Sequence, residues 1–228
     1  MQLSGNCVYK LGVSLAHSLQ QPERSAAFAE LLEPGTSVLQ VERSVQASIA
    51  EALDDVASGE LFEHSVTLDA KDPAPDELLE PISNPVARRF LQQDIAWLAR
   101  EYGALVGRRH LHGQLAVLAH DACRKLHVDN VTIRLLCTYA GPGTQWVSNE
   151  DVVRSNLARI DVDFETANRS VLRHPDAVRH CGRGDVLLLK GNAFPKNRGF
   201  GAVHRSPPIA ERSLRRLVFK IDERPCGC

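Results

Sequence analysis

The chain has 228 residues, of which 43% are hydrophobic and 24% charged, with a formal net charge of −1. That length fits one domain with a sizeable core, or a core with a helical extension. The near-neutral charge and the 5% share of aromatic residues argue against a nucleic-acid partner, which needs a basic footprint or a stacking surface. No window approaches the ~18 apolar residues of a membrane span. "MQLSGNCVYKLGVSLAHSL" lacks a basic segment followed by a long apolar one, so a soluble, cytoplasmic protein without a signal peptide is expected. The cysteines (Cys7, Cys123, Cys137, Cys181, Cys226, Cys228) lack the density of a disulfide framework and read as reduced thiols. The terminal "CGC" reads as a frayed tail ahead of a soft-metal chelator.

In chain order, the first hundred residues read as helix and loop. "SVQASIAEALDDVASG" places Val45, Ile49, Leu53 and Val56 near helical period, with Gly59 as a stop. "DAKDPAPDELLEPISNP" is a Pro- and Asp-rich surface connector. A long helix follows, with Asn84 as N-cap, Pro85 in its first position and Gly107 at its end. Val86, Phe90, Ile95, Leu98, Tyr102 and Leu105 form its apolar stripe, which predicts packing on a sheet.

From about residue 110 strand-like runs dominate: "HLHGQLAVLAHDA", "HVDNVTIRLLCTYAG", "DVLLLKGNAF" and "SLRRLVFKID". "AGPGTQW" is a turn by composition, and "NEDVVRSNLARID" fits either helix or strand. Helices first and strands later predict a mainly β core with a helical N-terminal part, an α+β arrangement.

The chemistry concentrates in "CRKLHVDNVTIRLLCTY". On a strand His127 and Asp129 project from one face. His204, after "GAV", is the candidate third ligand from a second strand. Two histidines and one carboxylate on one side of a metal leave positions open for substrate and oxygen, the facial arrangement of non-haem Fe(II) oxygenases. In "SLRRLVFKID", Arg215 shares a face with Leu217, Phe219 and Ile221, which reads as inward, whereas Arg216 shares one with Lys220 and Asp222, which reads as solvent-facing. A buried arginine needs a partner, and a co-substrate carboxylate would suit it.

The ordered set "HVD", "GDVLLL", "AVH" and the strand arginine resembles the double-stranded β-helix of iron- and 2-oxoglutarate-dependent oxygenases. The fuller string, with "TYAGPGTQWV" and "HRSPP", is similar to an uncharacterised bacterial family, domain of unknown function eighteen twenty-six, whose genes tend to lie near zinc-homeostasis genes. The resemblance implies one domain: a helical cover over residues 1–108, a double-stranded β-helix (jelly-roll, cupin-like) core over 109–222, and a tail at 223–228. It implies Fe(II), or Zn(II) in its place, held by His127, Asp129 and His204. It also implies 2-oxoglutarate bound by Arg215, or by Arg216 if the prolines of "HRSPP" shift the register by one. The implied reaction oxidises an unidentified small molecule or side chain while 2-oxoglutarate is decarboxylated to succinate. The alternative is a cupin-like metal-binding accessory protein without oxygenase activity.

Tyr139 lies on the His127/Asp129 face if the strand is regular; it is either a ligand for the co-substrate carboxylate or a core tyrosine. Arg134, on the other face, reads as structural, and Trp146 as a core cap ahead of a pocket floor. His110, His112 and His120 read as ordinary histidines, Cys123 as a packed thiol, and Asp185 as a turn residue.

Overall fold

The computed structural model describes residues 6–14, 27–195 and 197–223. In chain order the main elements are β1 (Asn6–Ser14), β2 (Val38–Ser44), α1 (Ala47–Ser58), β3 (Phe62–Asp69), α2 (Pro85–Val106), β4 (His110–Leu118), β5 (Ile133–Ala140), β6 (Gln145–Val147), α3 (Phe164–Val171), β7 (Val178–His180), β8 (Val186–Lys190), β9 (Val203–Arg205) and β10 (Arg216–Asp222). The strands form two sheets, a seven-stranded one in the order β1-β2-β8-β5-β10-β4-β3 and a three-stranded one in the order β7-β6-β9. Every pairing is antiparallel except β1 with β2. Among the described residues no helix is long and apolar enough to cross a membrane.

Both expected helices form where their caps place them. The Asn84 side chain accepts from the amides of Val86 and Ala87 at 3.0 and 3.2 Å, satisfying donors that have no partner inside the helix. At the other end Gly107 adopts φ 64°, a left-handed conformation that costs glycine little. Gly59 closes α1 as expected.

The first hundred residues depart from expectation, because β1, β2 and β3 all belong to the seven-stranded sheet. A helical cover over 1–108 is therefore not what forms there. β3 escapes notice because it is an edge strand: Phe62, His64, Val66 and Leu68 alternate with Glu63, Ser65 and Thr67, and few of them are buried. The connector after it is also more than a surface loop, since Leu78, Leu79 and Ile82 are buried. "NEDVVRSNLARID" resolves into two short 3-10 turns, Asn149–Asp151 and Arg154–Asn156, and the end of "AGPGTQW" forms β6.

Strand alternation gives the large sheet two different faces. Leu217, Phe219 and Ile221 of β10, Leu115 and Val117 of β4, and Ile133, Leu135 and Cys137 of β5 are buried in one cluster with Leu53 of α1 and Leu91, Ile95, Leu98 and Tyr102 of α2. Full burial of such side chains contributes ~1.5–3 kcal/mol each, so this layer dominates the core. On the opposite face Val38, Leu187 and Leu189 pack against Trp146 of the small sheet. Trp146 is fully buried, and its indole N–H donates to Gln40 Oε1 at 2.8 Å, so it caps the core. Between the sheets, beyond this contact, a cavity remains.

Candidate metal centre and active site

His127 and His204 are brought together by the backbone. Each amide donates to the other's carbonyl at 3.0 Å, an isolated antiparallel bridge that adds residue 127 alongside β9. Directly opposed residues send their side chains to the same face, and the two rings lie 4.6 Å apart. Asp129 stands between them: His127 Nε2 is 3.3 Å from its Oδ1 and His204 Nε2 is 3.1 Å from its Oδ2. One ligand atom from each of the three residues lies within 4.8 Å of the others, a cluster that could hold a single ion.

The outer ring nitrogens fix the orientation of both rings. His127 Nδ1 lies 2.8 Å from the Lys125 carbonyl and His204 Nδ1 3.1 Å from the Ala202 carbonyl. Carbonyls only accept, so each Nδ1 donates its hydrogen to the backbone and each Nε2 is the ring nitrogen turned toward Asp129. Burial pulls the His127 pKa down, but hydrogen bonds and charge from Asp129 outweigh this and hold it up at about 10. Burial pushes Asp129 up, yet hydrogen bonds from His127 and His204, with the charges of His204 and Arg134, hold it far below the usual carboxylate range. The donor set of two imidazoles and a carboxylate fits Fe(II) and also Zn(II).

The cavity beside this cluster has a volume of about 420 Å³. Its wall is the polar face of the large sheet: Arg216, Val218 and Lys220 of β10, Gln114 and Ala116 of β4, and Arg134 and Leu136 of β5. Arg216 is only 3% exposed and donates through Nη2 to the hydroxyls of Thr138 and Thr144, both at 3.1 Å. Its Nε has no hydrogen-bond partner and no carboxylate pairs with it among the described residues. Burial lowers its pKa to about 10.

Arg215 and Arg216 are therefore exchanged relative to the expectation. Arg215 is exposed and donates to the carbonyls of Ser58 and Gly59 at the end of α1. The pleat was read correctly, but the apolar face of β10 is covered by helices, and the polar face is the one that lines the cavity. Apolar and inward are not synonyms in a sheet covered on one side by helices and on the other by a cavity.

Tyr139 also lies outside the cavity. It is fully buried on the helix side, and its hydroxyl donates to Asp94 Oδ2 at 2.7 Å, beside the Arg43–Asp94 ion pair. The strand is not regular from 127 onward. Residues 130–132 bend, held by Asn192 N to Asp129 O and Gly191 N to Thr132 O, both at 2.9 Å. Parity counted from His127 is lost across that bend, which also returns Arg134 to the metal side, where it donates to Asp129 Oδ2 at 2.6 Å.

His112 and His120 line the cavity but stand outside the ligand cluster, and His110 is exposed. Cys123 is an exposed thiol on the cavity wall, not a packed one, whereas Cys137 and Cys181 are buried. Asp185 holds its turn, accepting from the Gly182 amide at 2.7 Å and from the Gln40 side chain at 2.8 Å. The "CGC" tail lies outside the described residues. Thr138, Thr144 and Asp222 carry no signal in their local spacing; strand pairing places Thr138 and Asp222 here, and the turn before β6 places Thr144 against Arg216.

Residues 23–222 match the family described as "Protein of unknown function (DUF1826)". The chain belongs to this family. The match contains all three candidate metal ligands and Arg216. Comparison with curated proteins gives no match. Solved structures similar to this DUF1826 chain include the dioxygenase for auxin oxidation from rice, at 12% identity and TM-score 0.45, covering 95% of this chain and 82% of that one. The Fe(II)/α-ketoglutarate-dependent dioxygenase TqaL is similar at 14% identity and TM-score 0.45, covering 91% of each chain. A prolyl-4-hydroxylase from Pseudomonas putida is similar at 12% identity and TM-score 0.43, covering 89% of this chain and 99% of that one.

Proposed function

We propose that the protein is an Fe(II)- and 2-oxoglutarate-dependent oxygenase with a double-stranded β-helix core. His127, Asp129 and His204 would hold the metal, and Arg216, with Thr138 and Thr144, would take the distal carboxylate of 2-oxoglutarate. The substrate is a small molecule or a side chain able to enter the cavity. When bound, iron would supply the oxidising chemistry with O2, one oxygen atom going into succinate as 2-oxoglutarate loses CO2 and the other into the oxidised substrate.

The observation that carries this reading is the state of Arg216. A guanidinium that is 3% exposed, without a carboxylate partner and with an idle Nε, stands in the same cavity as the metal ligands. Burying an uncompensated charge costs several kcal/mol, roughly, and an anionic ligand offsets that cost. A protein that only stores metal has no use for such a group. The chain's own residues would then bind the co-substrate by its far end, orient its keto acid toward the metal and shield the reacting atoms behind the sheet wall.

The test is anaerobic addition of Fe(II) and then 2-oxoglutarate, followed by visible absorption. A charge-transfer band that requires both components supports the oxygenase. Stoichiometric metal binding with no response to 2-oxoglutarate would leave the cupin-like metal binder. Activity independent of 2-oxoglutarate in a zinc-loaded protein would replace the iron.

A further inference from the structure

Arg134 joins two carboxylates that the chain brings from different places. Its Nε and Nη2 donate to Asp222 Oδ1 and Oδ2 at 2.8 and 2.7 Å, a fork-to-fork pair. Its Nη1 donates to Asp129 Oδ2 at 2.6 Å. Arg134 and Asp222 face each other in register on β5 and β10, in the middle of the large sheet, and Asp222 is 1% exposed. Asp129 belongs to no strand; it precedes the bend at residues 130–132. The guanidinium is thus fixed at one end by the sheet and grips the loop carboxylate at the other.

From this geometry we infer that Arg134 is a positioning residue for the metal centre. The inference rests on the reading of His127, Asp129 and His204 as metal ligands. A carboxylate on a loop can rotate about two bonds and can bind an ion through one oxygen or both. Arg134 restricts that freedom, because its hydrogen bond anchors Oδ2, which also lies 3.1 Å from His204 Nε2, and so keeps Oδ1 3.3 Å from His127 Nε2. Held in this one orientation, Asp129 would bind through a single oxygen and leave a coordination position open. The planar fork is essential to this role: an ammonium ion is a point charge and cannot grip Asp222 with two bonds while reaching Asp129 with a third.

Arg134→Lys keeps the cation but loses the fork; Arg134→Gln with Asp222→Asn removes the buried pair together, so that Asp222 is not left as a lone buried charge. Dissociation constants for Mn(II) and Zn(II) are measured by competition with a chelator on the full chain, and Co(II) absorption reports coordination number. Urea unfolding of the metal-stripped proteins checks the fold. The expected result is a loss of roughly 10–100-fold in metal affinity in both variants, the usual effect of removing a group that orients a ligand. A weaker Co(II) visible band is expected as well, because an Asp129 free to bind through both oxygens raises the coordination number. Wild-type affinity in Arg134→Lys would overturn the inference, since charge alone would then suffice. Unchanged or tighter binding in the double variant would overturn it too. If either variant fails to unfold cooperatively, the other decides. Failure of the wild type to bind any of these ions would instead remove the metal centre itself, and the inference with it.

Discussion

His127 and His204, from distant parts of the chain, exchange both of their backbone hydrogen bonds at 3.0 Å. That bridge fixes the separation of the two rings independently of any ion, so the site is built by the fold. Removing one ring should therefore leave the backbone pairing intact and cost only a ligand. His204→Ala is expected to abolish stoichiometric Mn(II) or Fe(II) binding while urea unfolding remains cooperative. His110→Ala, on an exposed residue outside the cluster, is expected to leave binding unchanged. Equilibrium dialysis with metal analysis of both variants checks this.

The two neighbouring arginines give opposite expectations. Arg216→Leu removes the buried cation of the cavity and should weaken 2-oxoglutarate binding by roughly two to four decades, corresponding to ~3–5 kcal/mol for one partner of a buried charge pair. Arg215→Leu removes an exposed contact with the end of α1 and should change stability by no more than ~0.5 kcal/mol, with affinity unaltered. Calorimetry on the Mn(II)-loaded proteins separates the two. Equal effects would mean that neither guanidinium recognises the co-substrate.

Tyr139→Phe tests the helix side of the sheet. Its hydroxyl donates to the buried Asp94 carboxylate, and a hydrogen bond to a charged group is worth ~1.5–3 kcal/mol. The variant should unfold at lower urea by about that amount while its affinity for 2-oxoglutarate stays at the wild-type value. A selective loss of affinity would place Tyr139 in the co-substrate site after all.

The pH dependence follows from His127 and Asp129. The folded His127 pKa is raised from 6.5 to about 10, so in metal-stripped protein its contribution to stability is complete below pH 6.5 and is lost as pH rises through about 10. Asp129 is lowered from 3.8, so its contribution is complete above that value and is lost as pH falls through its depressed folded pKa. A metal ion must displace the His127 proton, so apparent affinity should climb with pH toward 10. Urea midpoints measured from well below pH 3.8 to above about 10 check both limbs, with Zn(II) affinity followed over the upper part of that range; His127→Gln should flatten the alkaline stability limb.

Gly191 sits against the bend that carries Asp129. A Cβ there would lie 2.1 Å from the Val131 carbonyl oxygen and 2.7 Å from that of Asp129. Both obstacles are backbone, so Gly191→Ala must push the bend away at a cost of ~1–3 kcal/mol. Metal affinity should fall with it, a loss that dialysis would register even where the fold survives.

The sequence by itself determined the features that depend on local chemistry. Asn84, Pro85 and Gly107 delimited α2 because caps satisfy backbone groups within a few residues. The alternation in "RRLVFKID" sorted β10 into two faces because the pleat has period two. The residue types His, Asp and His mark a candidate metal site by their donor chemistry alone. Tertiary structure decided which face was which, since helices cover the apolar side of β10 and thereby make Arg216 the cavity residue. It also decided that the bend at 130–132 breaks the parity between His127 and Tyr139, and that Asp222, 88 positions from Arg134 in the chain, anchors it beside Asp129. Spacing along the chain carries no information about a partner supplied by another strand; only the pairing of β5 with β10 does.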